Sequence, residues 1–576
     1  MKLTKRSDEV DISSLFGNDS IFSIPFFQRP YKWSPARTSQ LNLDILDLVD
    51  GKNDVHFLGA IIIHGLPNDP AEPQAYEVID GQQRLTTLYL YMAAAIRTLI
   101  DAGQTEEASN LFRKYMVTSI QSEGRSNLTL HSCREDQGDL NLVIRDLLGA
   151  KGFGESLIGF SFLELPHDHP RRGRIHKNYA AAKRFMRTQF TAEGLGRVRS
   201  IYSCLLQRIS VVLIDVHDPT NGPKIFDSLN SRQEPMTIGD LVRNDVFARV
   251  AAIDPEEAFR IDEDCWQPFY LKFRHNDRDY FDSYFFPFGL IHDPNLRKSE
   301  VYGALKKSWE GLSPQQVIDR LAKYQNPFLD HVFGTSFCDH SPSVERGFKR
   351  LHAAGAPSSV LPFLMRLSHA ILENELEDHA AVGILETLDS FLTRRALCGH
   401  EPTGLHAVFK RLWEDMGPTK TSEALIRVVS AHRTVVWPSD SQVEEAVLTR
   451  PVAASSIAAY VLGELDSMLT RSDENTEAVV ELVWPGSYGG DWAGFEKVDS
   501  GEAWLIGNAL PLSPTQQVPS GDVGYSTKRL IYRTESVFAT TREVASEVID
   551  WDREVIRERS ASYASACVRR WPHSGE

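Results

Sequence analysis

The strongest local signal in the chain is Asp80-Gly81-Gln82-Gln83-Arg84, which stands between two apolar stretches of different period. Tyr76–Ile79 has the length of a short strand. After the run, Leu85, Leu88, Met92, Ala95, Ile96 and Leu99 recur at helical spacing. The five residues therefore lie at a strand-to-helix corner. The start of a helix presents unpaired N–H groups and about half a positive charge, which together attract an anion. Gly81 permits a positive φ or a close backbone approach. Arg84 is a forked donor suited to phosphate oxygens, and Asp80 could hold a magnesium ion through one carboxylate. Gln82 and Gln83 could orient a water or a ribose, and Thr86 follows in the first turn. The plainer reading is a tight turn with an exposed capping cluster.

Three further groups of residues carry possible chemistry. Ile24–Trp33, IPFFQRPYKW, interleaves aromatic rings with Gln28, Arg29 and Lys32 between two prolines. Such a strip could stack a base and reach phosphate through Arg29, Lys32, Tyr31 and Trp33. It could equally plug a small core. Ile225–Arg232 leads into Met236, Thr237, Asp240, Leu241, Arg243 and Asn244, where Thr237 with Asp240 three residues on forms a capping-box-like helix start. Asn230 and Arg232 in the preceding loop could face a ligand. Residues 151–200 hold ten basic and four acidic side chains, a local balance of +6. Lys177, Arg184 and Arg187 there could line one helix face along a DNA backbone, although a solvated face balanced by neighbouring acids is the default for such runs. His167-Asp168-His169 could bind a metal but reads more simply as a solvated loop.

The elements that must position these groups are legible in outline. Asn42–Val49 has helical spacing, His56–His64 and Ser210–Val216 are short apolar strands, and Ile225–Val250 ends in an amphipathic helix. Residues 251–420 are mostly helical, with joints at Pro287, Pro314, Pro327 and Pro357. A helical stretch at 442–469 leads into a Gly/Trp/Pro-rich region at 484–526, and a helix spans 549–568. A chain of 576 residues at roughly 100–200 per domain makes about three domains. We place them at 1–250, 251–420 and 421–576.

The bulk numbers bound the function. The formal net charge of −16 makes the chain as a whole a poor partner for polyphosphate, so DNA contact must be local. The six cysteines, at positions 133, 204, 265, 338, 398 and 567, form no C-x-x-C pair. That pattern argues against a zinc ribbon or disulfide scaffold and for reduced thiols in a cytoplasm. No apolar run reaches membrane-spanning length, and MKLTKRSDEV lacks the apolar segment of a signal peptide, so the expected partners do not include a membrane.

Five stretches occur in an order that resembles the N-terminal domain of the GmrSD-type restriction family: IPFFQRPYKW, HFLGAIII, YEVIDGQQRLTTL, HKNY at 176–179, and IFDSLNSRQEPMTIGDLVRND. FLTRRALCGHEPTGLHAVF, with Arg394 and Arg395, is similar to the family's helical linker. The resemblance implies an α+β multidomain protein with a ParB/sulfiredoxin-like N-terminal domain that binds and hydrolyses a nucleoside triphosphate, GTP or ATP, with Mg2+. Asp80, Gln82, Gln83 and Arg84 would form the hydrolysis motif, with Asp80 on the metal. Gly81, Thr86, Gln28, Arg29, Asn230 and Arg232 would bind the nucleotide. Gln233 stands where the family usually has glycine. In the related SspE proteins of phosphorothioate-dependent defence, the segment around the Q-R-x-Y motif helps sense modified DNA. The resemblance extends that role to Tyr31, Lys32 and Trp33, with Lys177, Arg184 and Arg187 as DNA contacts.

The family's C-terminal domain is an HNH-type nuclease of ββα-metal fold, opening on Glu-His-Ile/Val-x-Pro and later carrying Ile-Gly-Asn-Leu. Here Glu481-Leu482-Val483-Trp484-Pro485 and Ile506-Gly507-Asn508-Ala509-Leu510 hold those places. Leu482 replaces the histidine, and loss of a general base costs about 10²–10⁴-fold in rate. The expectation is a degenerate HNH-like domain with Glu481, Leu482 and Asn508 as its vestigial site. The sequence thus points to a defence protein that senses DNA, hydrolyses nucleotide and controls cleavage. Alternatives are a non-catalytic sensor or scaffold that recruits a separate nuclease, and a nickase using other C-terminal residues; the expected partners are DNA and either a partner nuclease or further copies in a homo-oligomer.

Overall fold

The computed structural model describes residues 4–573 apart from 18, 68, 121–124, 157–172, 218–235, 252, 276–277, 433–434, 471–476, 487–491, 493–500 and 519–522. Asn230, Arg232, Gln233 and the His167–His169 group lie outside the described residues. The chain is α+β and divides into two compact units, Met1–Gln267 and Pro268–Glu576.

The first unit is built on a six-stranded mixed sheet of β1 (Thr4–Asp11), β2 (Ser20–Ser23), β3 (His56–Gly65), β4 (Gln74–Asp80), β7 (Leu130–His131) and β8 (Ile209–Val216), in the order β1-β8-β3-β4-β2-β7. A separate hairpin pairs β5 (Val117–Ile120) with β6 (Arg125–Leu128). The apolar run of β3 lies parallel to β8 and antiparallel to β4, and the β3–β8 register shifts between Phe57 and Gly59. Strands covered on two sides read as continuous apolar runs, which is why FLGAIII and SVVLIDV are legible.

Helices follow from caps and periodicity. After a one-turn helix α1 (Ile12–Phe16), α2 (Pro35–Val49) starts where the Ser34 hydroxyl accepts from the Arg37 N–H, and Pro35 occupies the first turn. Then comes α3 (Gln82–Asp101), 20 residues long and buried on every side except at Arg97 and Asp101. Its apolar stripe meets the sheet, while Tyr89 and Tyr91 donate hydroxyl protons to the carbonyls of Met116, at 2.9 Å, and Thr38, at 3.0 Å. Around it pack α4 (Thr105–Tyr115), α5 (Arg134–Leu148) and α7 (Arg174–Gln207), with a single turn, α6 (Phe153–Ser156), between the last two. α7 is two helical pieces broken at Gly194, whose φ is +76°. The unit's last long helix is α8 (Ile238–Ala251), capped reciprocally: Asp240 N–H donates to Thr237 Oγ1 at 3.2 Å and Thr237 N–H to Asp240 Oδ2 at 3.1 Å.

The second unit is mainly helical. Its elements include α9 (Gln325–Phe333), α10 (Pro342–Ala353), α11 (Leu361–Leu372), α12 (Asp378–Leu397), α13 (Tyr525–Glu535) and α14 (Arg553–Arg570), with β9 (Val479–Leu482) antiparallel to β10 (Ala509–Leu512). The helical stretch read at 442–469 is two helices, Asp440–Thr449 and Ala458–Thr470, because Pro451 cannot continue the first. α12 ties the unit together. The fully buried Arg394 donates to Pro438 O at 2.9 Å, to Trp571 O and to Asp440. Asp389 accepts from Tyr460 at 2.8 Å and Trp571 Nε1 at 3.0 Å, and burial raises its carboxyl pKa.

Candidate functional site

The DGQQR corner forms as its residue types require. β4 ends at Asp80, Gly81 turns the chain with φ +96°, and α3 begins at Gln82. Any side chain at Gly81 would strain this φ and bring a Cβ within 2.9 Å of Ile61 Cγ1 on β3. Gly81, which precedes α3, has no side chain with which to cap it. Arg84 folds back across β3, with Nη1 donating to Ala60 O and lying 3.6 Å from Asp80 Oδ2. The guanidinium passes over Gly59, where a Cβ would come within 2.9 Å of Nε, so the glycine of HFLGAIII exists to admit Arg84. Burial lowers the Arg84 pKa, and Asp80 works against that.

The second motif is locked onto the first. Gln28 Nε2 donates to Val78 O at 2.8 Å and to Ile79 O at 3.0 Å, the last carbonyls of β4 before Asp80. In return Gln82 Nε2 donates to Arg29 O at 3.1 Å. Gln83 accepts from Lys32 N–H at 2.7 Å through Oε1 and donates to Pro30 O at 3.3 Å through Nε2. Gln28, Arg29, Gln82, Gln83 and Arg84 are all buried. The cluster is therefore not the exposed cap of the plainer reading. Gln83 has both ends of its amide on backbone, whereas Gln82 is tied to backbone through its Nε2. Thr86 is buried a turn further along α3.

Within the strip, the aromatic residues divide. Phe26 and Phe27 pack on Phe247, with Phe259 also against Phe26, as core-plugging rings do. Tyr31 is 3% exposed, and its hydroxyl lies 2.7 Å from Thr87 Oγ1. It faces the interior, and burial raises its phenol pKa; a sensing contact by its ring would require the strip to open. Lys32 and Trp33 keep exposed area, and Arg37 lies over the Trp33 ring at 4.8 Å.

α8 closes this side. Asp240 Oδ2 lies 3.9 Å from Arg29 Nη1 and 3.7 Å from Lys32 Nζ. Arg243 pairs with Glu135 at 3.2 Å and Asp262 at 3.3 Å. The helix that follows Asn230 and Arg232 in the sequence is thus fastened to the corner. From HKNY, Asn178 Nδ2 donates to Trp33 O at 2.8 Å, so this motif too holds the strip.

The basic stretch is partly neutralised. Lys183 pairs with Asp146 at 2.8 Å, Arg197 with Asp50 at 2.7 Å, Arg199 with Glu107 at 2.8 Å, and Arg187 approaches Asp101 at 4.0 Å. Lys177 and Arg184 are exposed and, among the described residues, have no acidic partner.

At the C-terminal site, Leu482 lies opposite Ala509 and Glu481 opposite Leu510. Glu481 Oε1 takes Lys528 Nζ at 2.9 Å and the Tyr532 hydroxyl at 2.8 Å. Asn508 is fully buried. Its Nδ2 donates to Trp484 O and Ala503 O, both at 2.8 Å, and its Oδ1 accepts from Trp484 N–H and Trp551 Nε1, both at 3.0 Å. Every hydrogen-bonding capacity of that amide is occupied. Asn508 brackets the fold and has nothing left for a metal or a base.

Several residues that build the corner carry no motif. Asp136 accepts the Tyr31 N–H, and burial pushes its carboxyl up to about 6. Lys528 and Tyr532 are equally silent in the sequence; their i,i+4 spacing on α13 is the only available signal.

No helix among the described residues is long and apolar enough to cross a membrane. No curated protein matches the chain. Residues 12–247 match the family model described as GmrSD restriction endonuclease, N-terminal domain, a span that contains all five motifs and every residue of the corner. Over residues 12–247 the chain is thus similar to the N-terminal domain of GmrSD-type restriction endonucleases, which supports a DNA restriction and defence role.

Proposed function

We propose that the N-terminal unit, as a ParB/sulfiredoxin-like domain, binds a nucleoside triphosphate at the start of α3 and hydrolyses it, within a protein that senses DNA and controls its cleavage. One observation carries this reading. Two motifs some fifty residues apart interlock through Gln28, Gln82 and Gln83 around the glycine-led start of α3, which gathers Arg29, Arg84 and Asp80. A purely structural turn does not need two buried arginines beside a helix N-terminus, whereas phosphate recognition does.

In this reading the α3 N–H groups and Arg29 take phosphate oxygens, and Arg84, held by Ala60 and Asp80, stabilises charge on the transferred group. Gln82 orients the attacking water. The donor set fits Mg2+, since a single carboxylate, Asp80, at a phosphate site is the usual protein share of its shell. When bound, the ion would neutralise phosphate charge. GTP and ATP are the nucleotides to compare. Lys177 and Arg184, with Lys32 and Trp33, form the surface offered to DNA, modified or not.

A second reading concerns cleavage. Leu482 cannot take a proton, Glu481 is held by Lys528, and Asn508 is fully engaged. These three facts favour a C-terminal region of degenerate HNH-like type, with cutting done by a recruited nuclease.

The test is nucleotide turnover by the full chain with Mg2+. Asp80→Asn and Arg29→Gln, each checked for an unchanged circular dichroism spectrum, should lower turnover by at least about 100-fold, as loss of one preorganised electrostatic group does. Unchanged turnover in both folded variants would overturn the assignment. Nicking of plasmid by the chain alone would overturn the second reading.

A further inference from the structure

The second unit holds a cluster that neither the motifs nor the family match involves. Asp330 lies near the end of α9. The connector that follows carries Cys338 and His340, and Ser368 on α11 faces both. One ligand atom from each of Asp330, Cys338 and His340 lies within 4.8 Å of the others. Asp330 and Cys338 are both 8% exposed. The groups are incompletely satisfied among themselves. His340 Nε2 lies 2.8 Å from Ser368 Oγ, while its Nδ1 is buried without a hydrogen-bond partner. Asp330 Oδ1 accepts the N–H groups of Phe337 and Cys338, which aims the carboxylate at the thiol.

Thiolate, imidazole and carboxylate together are the donor set of a borderline-soft divalent ion. In a tetrahedral zinc site the bond lengths of about 2.0–2.3 Å put ligand atoms roughly 3.5 Å apart, so atoms that lie within 4.8 Å of one another draw in only a little to bind the ion. The geometry points to a Zn2+ site made by Asp330, Cys338 and His340, which fastens the connector between α9 and α10. The ion displaces the thiol proton to solvent. Because the thiol must give up its proton to ligate, binding weakens as pH falls. The Ser368 hydroxyl orients the imidazole, as partners of ligating histidines do.

Cobalt titration of the chelator-treated full chain tests this. Thiolate coordination gives an intense near-ultraviolet charge-transfer band that saturates at one ion per chain and is bleached by Zn2+. Cys338→Ser should abolish the band, and Ser368→Ala should weaken affinity by about 10-fold. Absence of the band in the wild-type chain overturns the site without any variant. A band that survives intact in Cys338→Ser also overturns it, because the thiolate then lies elsewhere.

Discussion

Gln83 provides the sharpest test of how the corner is built. Its Oε1 accepts the Lys32 N–H at 2.7 Å and its Nε2 donates to Pro30 O at 3.3 Å, inside a buried node. Leucine fills nearly the same space with no polar atom. Gln83→Leu therefore strands one amide and one carbonyl. A buried polar group left without its partner costs about 1–3 kcal/mol, so two in a partly buried setting cost about 2–4 kcal/mol. That cost falls on the local opening of the strip, since α3 itself keeps its apolar contacts. At tenfold per 1.4 kcal/mol, the Lys32 and Trp33 amides should exchange with solvent between about 30-fold and several hundred-fold faster. Hydrogen exchange read by mass spectrometry on peptides covering 27–34 measures this, with peptides of the second unit as the unchanged reference. Gln83→Glu keeps the acceptor, so it should restore part of the Lys32 protection. Unaltered exchange in a folded Gln83→Leu chain would refute the reasoning. The strip would then be held by the Gln28 and Gln82 amides, by Asp136 at Tyr31 and by Asn178 at Trp33 without help from Gln83.

Two other outcomes follow from buried groups. Asp136 has a folded pKa raised to about 6 against about 3.9 when unfolded. The native state thus takes up a proton, so this group's contribution is complete below about pH 4 and is lost as pH rises through about 6. That separation is worth up to about 3 kcal/mol, and Asp136→Asn should remove that much pH dependence from urea unfolding of the first unit between pH 4 and 7. An identical slope in the variant would show that Asp136 is not the source. Asn508→Ala should destabilise the second unit by about 3–5 kcal/mol, because four buried partners on Trp484, Ala503 and Trp551 lose it together. A thermal midpoint indistinguishable from wild type would contradict that bracket.

The contrast between the two sites shows what is legible and why. Asp80–Arg84 can be placed at a strand-to-helix corner from local information. Apolar runs of strand length and helical period are written residue by residue, and Gly81 has a strictly local reason to be glycine. The capping pair Thr237–Asp240 is legible on the same ground. Charge counted along the chain is no guide to any single surface. The +6 stretch at 151–200 is partly answered by acids far away in sequence, such as Asp50, Glu107 and Asp146.

The order of residues suffices for the α+β class, the succession of the five motifs and the corner that joins β4 to α3. Which side chains remain available for chemistry is settled only when the elements pack. Gln83 and Asn508 have the residue types of active groups, yet backbone partners brought together by the fold occupy both. Tyr31 turns inward because Thr87 on α3 meets its hydroxyl. The Asp330–Cys338–His340 cluster exists only because α9, the connector and α11 converge. One cause is common to all of these. Periodicity and turn chemistry depend on near neighbours along the chain, whereas a buried polar group's role depends on the partner that desolvation forces it to find, and that partner is chosen in space.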